Sequence, residues 1–171
     1  LTDQSLAHER KMQAKLKQDL ATLRQYDRKG MNEADALNYD MLQYFLAMQA
    51  DGEKFAHHNY PLNQLFGIQN EFPTFMATQH PVASVSEAEN YLARLDKTPL
   101  MVDQVMEGLL LRERENILPP TFVVEKVLKE MRAFVAAEPK QNILYTSLAE
   151  KFAEAGKEGL SPAQQKLFLA K

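Results

Sequence analysis

The fold is decided by residues 119–135, PPTFVVEKVLKEMRAFV, where a proline pair precedes a regular apolar pattern. After Thr121 the apolar residues recur at the spacing that places them on one face of a helix. They are Val124, Val127, Leu128, Met131 and Val135. The stretch therefore predicts an amphipathic helix that begins just after the prolines.

The same pattern recurs along the chain and predicts an all-α fold. Several of the expected helices begin with a side chain that can accept a hydrogen bond from a free backbone N–H, or with proline at the first position. The sequence indicates an irregular bundle of about six or seven helices, with a proline- and aromatic-rich connecting segment near residues 57–85. We expect helices over Asp3–Tyr26 and Glu33–His57, then helices starting near Ser86, Thr98, Thr121, Asn142 and Ser161.

For the second and third helices the sequence predicts one further feature each. The second helix, capped by Asn32, carries an apolar stripe that we expect to be buried, since the apolar face of a helix normally faces a core. The third helix is expected to begin with a capping box between Ser86 and Glu89. The stripe of the second helix consists of Leu37, Met41, Tyr44, Phe45 and Met48.

The connecting segment differs in composition from the rest of the chain. Between His57 and Val82 the only formally charged side chain is Glu71. Because proline and glycine interrupt the segment, it predicts turns and short helices without a long regular element. Uncharged amides and aromatic rings in such a segment can line a cleft for a peptide or another neutral ligand. The candidate cleft residues are Tyr60, Asn63, Gln64, Gly67, Gln69 and Asn70.

Two alternatives stay open for the polar residues. The amides of the connecting segment can instead satisfy backbone groups of a core loop, a purely structural role. Glu53 and His57, with His58 and His80, contain enough donor groups for a metal site. Their spacing is common by chance, so we favour neither a metal site nor a catalytic residue in this chain.

Composition excludes several classes of function. The chain has no cysteine, which excludes disulfides, thiolate metal sites and cysteine nucleophiles. Its net charge is -3 and it has no long basic run, so we expect no binding to nucleic acid. No apolar run is long enough for a transmembrane segment. No metallopeptidase, serine hydrolase or nucleotide-binding motif occurs.

The ends of the chain predict a longer protein. The sequence begins at Leu1, and Ser161, Pro162 and Gln164 open a helix shortly before Lys171. Because a short isolated helix is marginal in water, we expect a partner surface for it. We interpret residues 1–171 as a single helical region, an N-terminal fragment whose partner is the missing C-terminal region of the same protein. The alternative is a terminal helix docked on its own domain.

Several landmarks of the sequence resemble a known family. Residues 60–73, YPLNQLFGIQNEFP, residues 80–81, HP, and residues 88–95, AENYLARL, are similar to the bacterial domain of unknown function 885. Residues 99–105, the proline pair and residues 144–148, LYTSL, extend the resemblance over most of residues 33–165.

The resemblance implies a function for the longer protein. Members of the family are longer, largely helical and similar to zinc metallopeptidases through a His-Glu motif in their C-terminal half. No residue of this chain matches that motif, so zinc is implied for the full-length protein and not for this chain. The resemblance implies that these helices shape a cleft for a peptide-like substrate, in a lipoprotein of the cell envelope or periplasm. The alternative is a non-catalytic helical module that binds a peptide or protein.

Overall fold

The computed structural model describes residues 2–155 and 159–170. These residues contain eight α-helices and no strand, which confirms the all-α prediction. No helix among them combines the length and the apolar character needed to cross a membrane. The helices are α1 Leu6–Leu23, α2 Glu33–Asp51, α3 Ile68–Thr78, α4 Val85–Asp96, α5 Thr98–Arg114, α6 Thr121–Ala136, α7 Ile143–Ala155 and α8 Pro162–Leu169, with short 3-10 turns at Arg28–Gly30, Gly52–Phe55 and Pro139–Gln141.

The helices pack into two compact units. The hairpin unit consists of Thr2–Asn59 and Gln104–Ile117, and so contains α1, α2 and the later turns of α5. The core unit consists of Tyr60–Asp103 and the described residues from Leu118 onward. It contains α3, α4, the first turns of α5, and α6 to α8.

The core unit has a continuous apolar core. Its largest fully buried side chains are Met76 of α3, Tyr91 of α4 and Phe152 of α7. Phe168 of α8 packs against Phe152, with the ring centroids 6.4 Å apart. Burial of a large apolar side chain contributes about 1.5–3 kcal/mol, so these contacts hold four helices of the unit together.

In the hairpin unit, α1 and α2 pack against each other. Leu20 of α1 is buried, and no residue of α2 is buried. Arg28 donates to both carboxylate oxygens of Asp40, at 2.6 and 2.5 Å, and so ties the connecting turn to α2. Val105 of α5 is also buried in this unit, and the Arg28–Asp40 pair adds a polar contact at its surface.

The expected burial of the α2 stripe is wrong. Between 49% and 72% of each stripe side chain is exposed. The partly buried positions of α2 lie on the other side of the helix and include Ala36, Tyr39, Leu46 and Ala50. Small residues allow a close approach of helices, so α2 packs through its alanine-rich side. The exposed side chains are Leu37, Met41, Tyr44, Phe45 and Met48.

The connecting segment contains an 11-residue helix, longer than the short helices expected there. α3 continues through Pro73, although proline removes one intrahelical hydrogen bond. Phe72 and Met76 of this helix are buried in the core unit. Their burial stabilises α3 despite the proline. The proline is visible in the sequence, whereas the burial depends on tertiary packing.

The start positions of the helices are largely confirmed, with one shift. Two expected signals do not act as caps: the N-cap of α6 is Pro120, which forms no side-chain hydrogen bond, and the Thr98 hydroxyl donates to the Arg94 carbonyl at 3.3 Å. Asn32 caps α2, and the capping box of Ser161 and Gln164 opens α8. The box of α4 is formed by Ser84 and Glu87, two residues before the expected pair of Ser86 and Glu89. Glu87 Oε2 accepts hydrogen bonds from the backbone N–H of Ser84 at 3.0 Å and of Ala83 at 2.7 Å. One carboxylate thus satisfies two free donors, which favours the earlier start.

Candidate functional site

The candidate functional site is a groove along α3 in the core unit, with a volume of about 350 Å³. Its walls combine exposed apolar side chains with amides, hydroxyls and one carboxylate. The lining residues are Leu65, Phe66, Asn70, Glu71, Thr74, Phe75, Thr78 and Gln79.

Helical periodicity aligns the polar side chains of the groove. Asn70, Thr74 and Thr78 follow one another at four-residue spacing, which places them in a row along α3. The carboxamide of Asn70 donates to Glu130 Oε2 at 3.3 Å. The hydroxyl of Thr78 donates to the backbone oxygen of Thr74 at 2.8 Å. The row thus presents hydrogen-bonding groups along about two turns of helix.

A second row runs beside the first. Glu71, Phe75 and Gln79 are also spaced four residues apart. Arg94 of α4 lies over the ring of Phe75, with its guanidinium carbon 5.1 Å from the ring centroid. Within the part of the chain that the structure describes, the Glu71 carboxylate has no hydrogen-bond or ion-pair partner. It is therefore free to accept an N–H from a ligand.

Leu65 and Phe66 form the apolar end of the groove, with 67% and 75% of their surfaces exposed. Asn63 holds them in place, because its Oδ1 accepts from the backbone N–H groups of Leu65 at 2.9 Å and of Phe66 at 2.7 Å. Its Nδ2 donates to the Tyr60 carbonyl at 3.0 Å. This side-chain turn is the usual way in which asparagine replaces backbone partners in a loop.

Gly67 lets the loop close tightly before α3 begins. A Cβ at this position would lie 2.5 Å from the backbone nitrogen of Asn63 and 2.7 Å from its oxygen. Gln69 Nε2 donates to the same oxygen at 2.7 Å. Only glycine fits here without displacement of the backbone.

The six residues proposed from the sequence have different places in this arrangement. Asn70 lines the groove, whereas Asn63, Gly67 and Gln69 hold the loop that carries Leu65 and Phe66. Tyr60 is exposed and Gln64 is partly buried. The substrate-cleft role of the six residues stays a prediction.

The sequence reading missed most residues that line the groove. These residues lie in the connecting segment near residues 57–85, where no long helix was expected, so helical spacing was not predicted for them. Once residues 68–78 are recognised as a helix, the four-residue spacing of their polar side chains becomes the signal. The missed lining residues are Leu65, Phe66, Glu71, Thr74, Phe75, Thr78 and Gln79.

Lys151 of α7 binds backbone groups at the C-terminal end of α3. Its ammonium group donates to the Met76 carbonyl at 2.7 Å and to the His80 carbonyl at 2.5 Å. Burial lowers the pKa of Lys151, and the nearby charge of Glu154 opposes this effect. A cation at the C-terminus of a helix satisfies carbonyl groups that lack intrahelical donors.

The side chains considered for a metal do not form a metal centre. Among residues 2–155 and 159–170, no group of three His, Asp or Glu side chains is placed to hold an ion. His57 Nδ1 lies 2.8 Å from Glu115 Oε2, and Glu53 forms an ion pair with Lys17. Both ring nitrogens of His80 have hydrogen-bond partners. The described residues therefore do not fit a zinc ion.

The fold and the groove define an all-helical protein with a polar-lined groove along one of its helices. A family model described as "Bacterial protein of unknown function (DUF885)" matches residues 1–169, which include α3 and its groove. The chain belongs to this family. No curated protein and no solved structure matches it.

Proposed function

We propose that this chain is the N-terminal helical region of a zinc metallopeptidase-like hydrolase, and that the groove along α3 is part of its substrate cleft. The hydrolase part rests on the resemblance of the family to zinc metallopeptidases. The observation that carries the cleft part is the exposure of Leu65 and Phe66 beside the polar side chains of two rows along α3. Zinc and its ligands would be supplied by polypeptide outside residues 1–171. This chain would bind and orient the substrate.

The spacing of the groove suits an extended peptide. Residues four apart on a helix are separated by about 6 Å along its axis. Alternate residues of an extended chain are separated by about 6.6 Å, so the two repeats nearly match. Asn70 and Thr74 could therefore meet backbone groups of alternate peptide residues. Leu65 and Phe66 would contact an apolar side chain at one end.

Peptide binding can be mapped on the chain itself by NMR. The probe is a blocked alanine tetrapeptide with one leucine. We expect amide resonances of residues 65–79 to shift, and replacement of Phe66 by alanine to weaken binding about threefold or more, because an apolar contact is lost. The matched control is Val135→Ala, which truncates an apolar side chain that is 81% exposed on α6. Equal affinities for F66A, V135A and the unaltered chain would contradict the proposal.

The catalytic part of the proposal requires the full gene product. We expect it to cleave the same peptide, to lose activity with a chelator and to regain it with zinc. F66A should raise KM with little change in kcat, because Phe66 would contact substrate away from the reacting bond. Binding without metal-dependent cleavage would support the rival function, a non-catalytic peptide-binding module.

A further inference from the structure

The apolar stripe of α2 is exposed on the hairpin unit. Leu37, Met41, Tyr44 and Met48 follow one another at spacings of three or four residues, and Phe45 lies beside them. Each is at least 49% exposed. A continuous apolar surface of this kind marks an interaction site more often than a solvated face.

Carboxylates line one edge of this stripe. Glu33 lies four residues before Leu37, Asp40 lies four before Tyr44, and Asp51 lies three after Met48. Each is therefore a neighbour of a stripe residue on the helix surface.

The three carboxylates also share one line along α2. They are separated by seven positions, from 33 to 40, and by eleven, from 40 to 51. Both intervals are close to whole helical turns. α2 contains no lysine or arginine. Among the described residues Asp40 is paired with Arg28, whereas Glu33 and Asp51 form no ion pair.

The opposite edge of the stripe is uncharged. Asn38 and Gln49 lie there, eleven positions apart. Leu42, 46% exposed, lies on this edge as well. The stripe therefore has one acidic edge and one uncharged edge. In paired helices, charges beside the apolar seam determine which partner binds and in which orientation.

We propose that the α2 stripe docks an amphipathic helix that carries lysine or arginine along one edge of its apolar face. Such a helix covers the apolar side chains and brings its cations to Glu33 and Asp51. A second copy of α2 fits less well. Antiparallel pairing would set the carboxylate edges against each other, and parallel pairing would supply no cation. The proposal concerns the hairpin unit and does not depend on the groove along α3.

The test uses two synthetic helical peptides of about five turns with the same leucine and alanine face. One peptide has lysine along an edge of that face, and the other has glutamate. Fluorescence anisotropy at low ionic strength should show about tenfold tighter binding of the lysine peptide, because two attractive pairs replace two repulsive ones. The preference should shrink at high salt.

A charge reversal distinguishes this proposal from non-specific hydrophobic binding. The double variant Glu33→Lys with Asp51→Lys should prefer the glutamate peptide by a similar factor. Tyr44→Ser with Met48→Ser should weaken binding of either peptide about tenfold or more, since apolar contacts are lost. Neither pair is buried, so circular dichroism should show an unchanged fold. Val135→Ser on α6 is the matched control and should leave binding unchanged.

Several results would overturn the proposal. Equal binding of both peptides to the unaltered chain, or no reversal in the lysine double variant, would remove the role of the acidic edge. Sedimentation that shows a dimer, abolished by Tyr44→Ser with Met48→Ser, would assign the stripe to a second copy. Binding to phosphatidylcholine vesicles in preference to the lysine peptide would assign it to a lipid surface.

Discussion

Arg94 donates a hydrogen bond to Nδ1 of His80 and so determines which nitrogen of the buried ring carries the proton. A guanidinium group can only donate, so Nδ1 must accept. The proton is then on Nε2, which donates to the Glu87 carbonyl at 3.0 Å. The Tyr91 ring meets the imidazole edge-on, with the centroids 5.3 Å apart. The core unit therefore contains a neutral histidine in one tautomer.

Stability should depend on the protonation of His80. Burial lowers its pKa, and the positive charges of Arg94 and Lys151 add to this effect, although the bond to the Glu87 carbonyl opposes it. The unfolded chain then binds a proton more readily than the folded one. The neutral His80 ring therefore contributes its full stabilisation above the pKa of the unfolded chain, about 6.5. This contribution is lost as the pH falls below that value. We expect urea midpoints to fall between about pH 7 and pH 5.

Two variants test this origin of the pH dependence. His80→Gln should reduce the fall of the urea midpoint at acidic pH, because glutamine retains a hydrogen-bonding side chain that stays uncharged. His58→Gln, at an exposed position, should leave it unchanged. An identical slope in H80Q and the unaltered chain would show that another group titrates.

Lys151→Met should destabilise the core unit. Methionine retains much of the apolar stem but leaves the carbonyls of Met76 and His80 without their donor. Loss of a donor to buried acceptors costs about 1–3 kcal/mol. Urea unfolding measures this change. Lys129→Met, at an exposed position of α6, is the control and should alter stability little. Equal midpoints for the two variants would mean that the Lys151 contacts contribute nothing measurable.

Gly67→Ala should destabilise the loop that begins α3. The added methyl group would overlap the backbone of Asn63, and overpacking of this kind costs about 1–3 kcal/mol. Gly52→Ala is the matched comparison, because a Cβ there meets nothing within 4 Å. The thermal midpoint of the Gly52→Ala variant should stay unchanged or rise. A stable G67A variant would show that the loop can move away from the added group.

Asn116 follows α5 with a φ of 58°, in the left-handed region. Asparagine tolerates this conformation, glycine adopts it freely, and β-branched residues resist it. We expect Asn116→Gly to preserve or raise the thermal midpoint and Asn116→Val to lower it, by about 1–2 kcal/mol of stability. The reverse order of the two midpoints would refute this reading of the helix end.

Local signals predicted the helices well because the chemistry that starts a helix is local. Asn32 and Ser161 accept hydrogen bonds from nearby backbone N–H groups, so their role is visible in the sequence. Two overlapping Ser-x-x-Glu pairs were present at the start of α4, and the sequence reading chose the later one. The bonds of Glu87 to two backbone donors decide between them.

Properties that depend on tertiary packing were harder to predict from the sequence. Periodicity showed that α2 has an apolar face, but it could not show whether another element covers that face. Pro73 suggested a break, whereas burial of Phe72 and Met76 maintains α3. The groove was missed for the same reason, since its rows exist only when residues 68–78 are helical. Of the proposed cleft residues, only Asn70 lines it.

Two exposed methionines on α2 make the hairpin unit susceptible to oxidation. Met41 and Met48 are 62% and 49% exposed, whereas Met76 in the core unit is inaccessible. Peroxide should therefore oxidise the first two well before the third. A sulfoxide is polar, so oxidation would make the surface of α2 more hydrophilic while the interior around Met76 stays reduced. Peptide mass spectrometry after brief peroxide treatment would reveal this order, and methionine sulfoxide reductases could reverse the change.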